Sequence, residues 1–165
     1  MFDNNFSSTQ FPHEIINQFA KDWLSANIND NVKDKLLFLV AWVPPGEDWN
    51  KLNTNGSWDK NSGHISAGGV MRNKERNWLK GFVLSKGIGN VLEAELWGMF
   101  EGLNMAWNSR ARRVIMEFDS LTTVQLLTKD TNPNHPLFSL IQNCKRIVAA
   151  DWNYNVVHVF REGNK

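Results

Sequence analysis

A chain of 165 residues, 42% hydrophobic and 21% charged, has the size and composition of one globular domain with its own core, and bulk composition implies no disorder. A formal charge of +1 excludes recruitment to nucleic acid or membrane by bulk electrostatics, so any such contact must rest on local basic clusters. The single cysteine, Cys144, excludes an internal disulfide, and the longest apolar run, Leu36 to Val43, is too short for a membrane span and too far from Met1 for a signal peptide. An intracellular protein, nuclear or cytoplasmic, monomeric and without a membrane partner, is expected.

Residues 1–12 are polar with scattered phenylalanines and show no period, which reads as loop. Ile15, Ile16, Phe19, Trp23 and Leu24 recur at helical spacing, so residues 1–40 are expected to hold an amphipathic helix and a linker, the latter rich in Asn and Asp from Asn27 to Asp34. Leu36 to Trp42 reads as an extended apolar arm stopped by Pro44-Pro45, and the main domain is placed at 41–165. Three strands follow at 49–58, 64–73 and 76–85, the last two joined by the turn Asn73-Lys74-Glu75-Arg76. Leu92, Leu96, Met99, Leu103 and Trp107 define a helix from Val91 to Trp107, and Arg113 to Phe118 a buried strand. Asp119-Ser120 begins a short helix reaching Leu127. A further helix, entered through Pro136, carries Leu137, Leu140, Ile141, Cys144, Ile147 and Val148, and Trp152 to Val159 is the last strand. Antiparallel strands followed by alternating helix and strand predict an α/β fold with a mixed sheet and helices on both faces.

Three oxygen-bearing side chains stand out in this frame. Glu95 lies at the edge of the core-facing stripe of its helix, where an unpaired carboxylate is costly and calls for a positive partner. Asp119 ends a central strand, the usual place for ligand sites in open α/β sheets, though a helix cap would use the same residue. Asn55 lies mid-strand among polar neighbours. Two carboxylates and an amide drawn together would suit Mg²⁺ or Mn²⁺. His158, at a strand end, reads equally as a functional imidazole or as one held by a backbone partner. Arg72, Lys74, Arg76 and Lys80 on the hairpin, with Arg110, Arg112 and Arg113, are candidate phosphate contacts or a solvated rim. The Asn55-Gly56 pair is also the sequence in which deamidation is least hindered, although a rigid strand restrains it.

Taken together, Trp42-Val43-Pro44-Pro45, Lys51-Leu52-Asn53-Thr54-Asn55-Gly56-Ser57, Gly68-Gly69 with Arg72, Ala94-Glu95-Leu96, Glu117-Phe118-Asp119-Ser120 and His158-Val159-Phe160-Arg161-Glu162-Gly163-Asn164 resemble the plant-type ribonuclease H domain of retroelement-derived, reverse transcriptase-like proteins. The resemblance spans about residues 42 to 164. It implies a three-layer ribonuclease H-like fold with a mixed five-stranded sheet, RNA/DNA hybrid or other nucleic acid as partner, and a two-metal Mg²⁺ or Mn²⁺ centre hydrolysing the RNA strand. Carried over position by position, Glu95 and Asp119 match the second and third metal carboxylates and His158 the mobile histidine. Asn55 stands where the pattern has its first catalytic Asp. The fourth carboxylate would follow just beyond Asn164, so the domain is expected to be truncated before its last helix. Impaired or absent catalysis is the expectation, with a non-catalytic nucleic-acid-binding domain or a retroelement relic as the alternatives.

Overall fold

The computed structural model describes residues 42–159. The helix expected over residues 15–24, the linker and most of the apolar arm lie outside them, as does the stretch after Val159. Strands β1 (Asn50–Trp58), β2 (His64–Arg72) and β3 (Trp78–Ile88) form an antiparallel meander. Helix α1 (Val91–Asn108) leads to β4 (Arg113–Phe118), helices α2 (Leu121–Thr128) and α3 (Phe138–Val148) follow, and β5 (Asn153–His158) completes a sheet of order β3-β2-β1-β4-β5. β4 pairs parallel with both β1 and β5. The mixed five-stranded sheet and the order of helices and strands are those expected.

Local chemistry accounts for the element ends. The Asn90 side chain accepts from the Glu93 N–H at 3.0 Å and caps α1, and the Ser120 hydroxyl accepts from Thr123 N–H at 3.2 Å and caps α2. β3 begins two residues later than expected because Arg76 adopts φ +67°, a left-handed conformation that a strand excludes. In that turn Asn73 Oδ1 accepts from Asn77 N–H at 2.9 Å. The strand then continues three residues beyond Ser85, because Ser85, Gly87 and Ile88 pair with Ser66, Ile65 and His64 across a bulge.

The three described helices share one core with the sheet, built on Leu52, Met116 and Phe118 from the strands, Leu96, Met99 and Leu103 from α1, Leu127 from α2, and Ile141 and Cys144 from α3. All are buried, at roughly 1.5–3 kcal/mol for each large apolar side chain. Any helix on the opposite face lies outside the described residues. Trp107 and Trp152 meet edge to face at 5.6 Å, and Trp152 Nε1 donates to Val148 O at 3.1 Å, fastening the start of β5 to α1 and α3. Burial pushes the Cys144 thiol up to about 12, and the side chain packs as the small hydrophobe its helical stripe suggests.

The closest approach in the sheet–helix packing is between backbones. A Cβ on Gly56 would lie 2.5 Å from Glu95 N and 2.6 Å from Ala94 C. Gly102 faces the same strand, its added Cβ 2.6 Å from Thr54 Cγ2 and 3.2 Å from Leu52 Cδ2. β1 therefore rests directly on α1 through Leu52, Thr54 and Gly56. Gly56→Ala has no side-chain motion with which to relieve its clash, and is expected to destabilise the fold by about 3 kcal/mol or more in urea melts. A change below the error of such a melt would show that the strand and helix can separate without cost.

Candidate metal and nucleic-acid site

Because side chains alternate along a strand, the contacts of Leu52, Thr54 and Gly56 with α1 send Lys51, Asn53 and Asn55 to the other face. The parallel register pairs Asn53 with Glu117; Asn55 follows two residues later within β1, and Asp119 comes directly after the end of β4 at Phe118. Gly56, following Asn55, is the residue pressed against the backbone at Ala94-Glu95, so the first turns of α1 bring Glu95 to the same region. Phe118 pairs with His158 in the register of β4 and β5, and His158 Nε2 lies 3.2 Å from the Asp119 carbonyl oxygen. Two of these residues are thus joined directly, His158 to Asp119, while Asn55 precedes the glycine that meets the Glu95 backbone.

Their environments differ. Glu95 is buried, Asp119 half-buried and His158 exposed. Asn55 Oδ1 is buried and makes no hydrogen bond, which costs about 1–3 kcal/mol for an acceptor with no water or ion to meet it. Capping of α2 by Ser120 removes the helix-cap role from the readings of Asp119. His158 does have a backbone partner, and that partner belongs to Asp119 itself. Beside Asn55 a shallow cleft of about 320 Å³ opens, lined by Gly56, Ser57, Ser66, Ala67, Gly68 and Val83. Its small side chains leave the strand backbone accessible.

A hard divalent cation takes oxygen donors, and the buried Asn55 amide oxygen, which makes no hydrogen bond, is of that donor type. The charge complement is lower than the motif prescribes, since the side chain at position 55 is neutral. Among the described residues no three His, Cys, Asp or Glu side chains form a metal-holding group. Glu95, Asp119 and Asn55 are the residues that would hold such an ion.

The hairpin cations stand apart from this region. Lys51 of β1 pairs with Arg72, four residues or about 13 Å along the strand from Asn55. Arg72 is 8% exposed, lies 5.9 Å from the Trp78 ring, and is depressed in pKa by burial, with the charge of Glu117 acting the other way. It is therefore not a solvent-facing phosphate contact; burial between strands has claimed it. Lys74 is engaged by Glu47 at 2.7 Å, while Arg76 and Lys80 are exposed. Trp97 carries Lys86 over its face at 3.9 Å, and Arg112 covers Trp107 at 4.1 Å, so these rings are packing surfaces.

One group had no role assigned from sequence. Glu117 accepts from Asn53 Nδ2 at 2.7 Å and pairs with Lys51 Nζ at 2.7 Å, and Lys51 also donates to Val43 O at 2.5 Å. The alternation Lys51-x-Asn53 with Glu117 opposite Asn53 was the available signal, because it sets these three on one face once the two strands are paired.

A family profile described as reverse transcriptase-like matches residues 53–165. An Arabidopsis thaliana protein named for ribonuclease H is 35% identical over 156 residues, covering 90% of this chain and 25% of its own length, so the chain spans about a quarter of that relative. Among solved structures, the N-terminal ribonuclease H domain of a Mycobacterium tuberculosis protein superposes with TM-score 0.64 at 21% identity over 70% of this chain and 85% of its own. Ribonuclease H1 of Halobacterium salinarum gives 0.64 at 18% identity, covering 70% and 89%. LC11 ribonuclease H1, solved with an RNA/DNA hybrid, gives 0.60 at 20%, covering 70% and 88%. At these identities the structural likeness establishes the fold.

Asn55-Gly56 sits inside the β1–β2 ladder with Gly56 pinned against α1, so the Gly56 nitrogen is not free to attack the Asn55 side chain. The native chain on storage should retain the amide at position 55, whereas the same peptide unfolded should show the amide-to-acid mass gain by mass spectrometry. Equal rates in both states would refute this restraint.

Proposed function

The chain belongs to the reverse transcriptase-like family and has the ribonuclease H fold, and from that premise we propose that it is an RNA/DNA-hybrid-binding domain of ribonuclease H type whose divalent-metal centre is weakened by Asn55. The observation that carries the reading is the environment of Asn55, which precedes the glycine pressed on the Glu95 backbone and has its side-chain oxygen buried without a hydrogen bond. A hybrid as partner is supported by the complex formed by LC11 ribonuclease H1.

When bound, Mg²⁺ or Mn²⁺ would supply a Lewis acid and an activated water for hydrolysis of the RNA strand. Glu95 and Asp119 would hold the ion through charged oxygens and Asn55 through a neutral one. His158, tied to the Asp119 carbonyl and exposed, would move a proton at the edge of the site. The cleft beside Asn55 would receive a sugar-phosphate backbone against small side chains, and exposed Arg76 and Lys80 on the hairpin would meet phosphates farther along.

The charge missing at position 55 decides the level of activity. A carboxylate about 4 Å from a dication gains roughly 8 kcal/mol of gross Coulomb energy at an effective dielectric near 20, before desolvation is subtracted. Even a small net remainder is decisive, because each ~1.4 kcal/mol is tenfold in occupancy. Asn55→Asp is therefore expected to raise Mn²⁺ affinity, read by calorimetry, and hybrid cleavage, read on a labelled substrate, by about tenfold or more. The native chain is expected to bind the hybrid with a salt-dependent affinity and to cut it weakly or not at all. Robust metal-dependent cleavage by the native chain would sink the impairment, and failure to bind the hybrid at low salt would sink the proposed partner.

A further inference from the structure

Lys51, Asn53 and Glu117 belong to the motifs that mark this sequence, yet none of the chemistry above uses them. All three are buried, at 6%, 4% and 7% exposure. They join β1 to β4 through side chains as well as through the ladder: Asn53 Nδ2 donates to Glu117 Oε2 at 2.7 Å, and Lys51 Nζ meets Glu117 Oε1 at 2.7 Å. Both carboxylate oxygens of Glu117 are thereby engaged. Lys51 extends the group to the Val43 carbonyl, drawing in the segment that leads to β1. Two residues farther along the chain in each case stand Asn55, within β1, and Asp119, directly after β4.

We propose that Lys51, Asn53 and Glu117 form a clamp that positions Asn55 and Asp119, setting the separation and orientation of the two strand ends that hold the divalent cation. The inference rests on the metal-site reading above. Stability alone is a weak reason for such a group. A buried ion pair is commonly replaceable by apolar side chains with little loss, whereas removing one member alone leaves the other charged and buried. Placement gives the stronger reason. Groups that hold ligand-bearing elements govern the affinity of a metal site without touching the metal. Lys51 and Asn53 also hold Glu117 back from the site, so a third carboxylate near Asp119 remains a support and not a ligand.

The test compares Glu117→Gln, Asn53→Ser and the double variant Lys51→Met/Glu117→Gln in the full chain, with and without Asn55→Asp. Thermal midpoint and Mn²⁺ affinity by calorimetry are the two readouts, and Asp119→Asn is the reference. Glu117→Gln alone should lower the midpoint because it strands the Lys51 charge. The double variant should regain the midpoint yet bind Mn²⁺ about 10- to 100-fold more weakly than its parent. Asn53→Ser, which leaves the ion pair intact, should fold and weaken Mn²⁺ binding in the same direction, and it decides the matter if the double variant does not regain its midpoint. Parental Mn²⁺ affinity in Asn53→Ser, or in a double variant of restored midpoint, would reduce the clamp to a structural element and overturn the proposal. If Asp119→Asn binds Mn²⁺ as well as its parent does, the metal-site reading itself falls. Absence of Mn²⁺ binding in every chain overturns both.

Discussion

The contact on which the site depends is the meeting of the β1 backbone at Gly56 with the α1 backbone at Ala94 and Glu95. No side chain intervenes, so the distance between strand and helix is set by van der Waals contact between main-chain atoms and not by an adjustable rotamer. β1 is also the strand at which the sheet changes character, antiparallel to β2 on one side and parallel to β4 on the other. A strand fixed in height by a helix and in register by two neighbours leaves little freedom to the residue beside Gly56. That residue is Asn55.

The two faces of β1 answer to different physics. Leu52, Thr54 and Gly56 are selected for size by the helix above them, and the core of Leu96, Met99 and Leu103 closes around them. Lys51, Asn53 and Asn55 face away from that core and are polar, so their burial has to be compensated one group at a time. Lys51 and Asn53 meet Glu117; the Asn55 oxygen meets no hydrogen-bond donor. An amide tolerates that isolation far better than a carboxylate would, since a neutral acceptor loses a hydrogen bond while an anion loses its whole hydration. Position 55 is thus more easily accommodated as Asn than as Asp in this buried setting.

Much of this was legible in the residues. The spacing of Leu92, Leu96, Met99 and Leu103 marks α1 because one stripe of that helix faces the core, and the apolar run at Val114 to Phe118 marks a strand covered by its neighbours. Ordered motifs brought Asp119 and His158 forward before the contact between them was known. What the residues did not reveal depends on pairing. The start of β3 is decided by the positive φ of Arg76, which no side-chain pattern announces. Arg72 reads as a surface cation until its strand neighbours bury it, and the tie from Asn53 to Glu117 requires the parallel register between strands 64 residues apart. Whether Asp119 or Ser120 caps α2 is a matter of which oxygen faces the Thr123 N–H, and that is geometry.

The chain also carries its own probe of core opening. Cys144 is the one thiol in the sequence, wholly buried among α3 contacts, with its ionisation pushed up to about 12. At neutral pH almost no thiolate exists in the closed form, so an alkylating reagent samples the moments in which α3 lifts from the sheet. Where reclosing outpaces chemistry, the labelling rate reports the population of that open form directly.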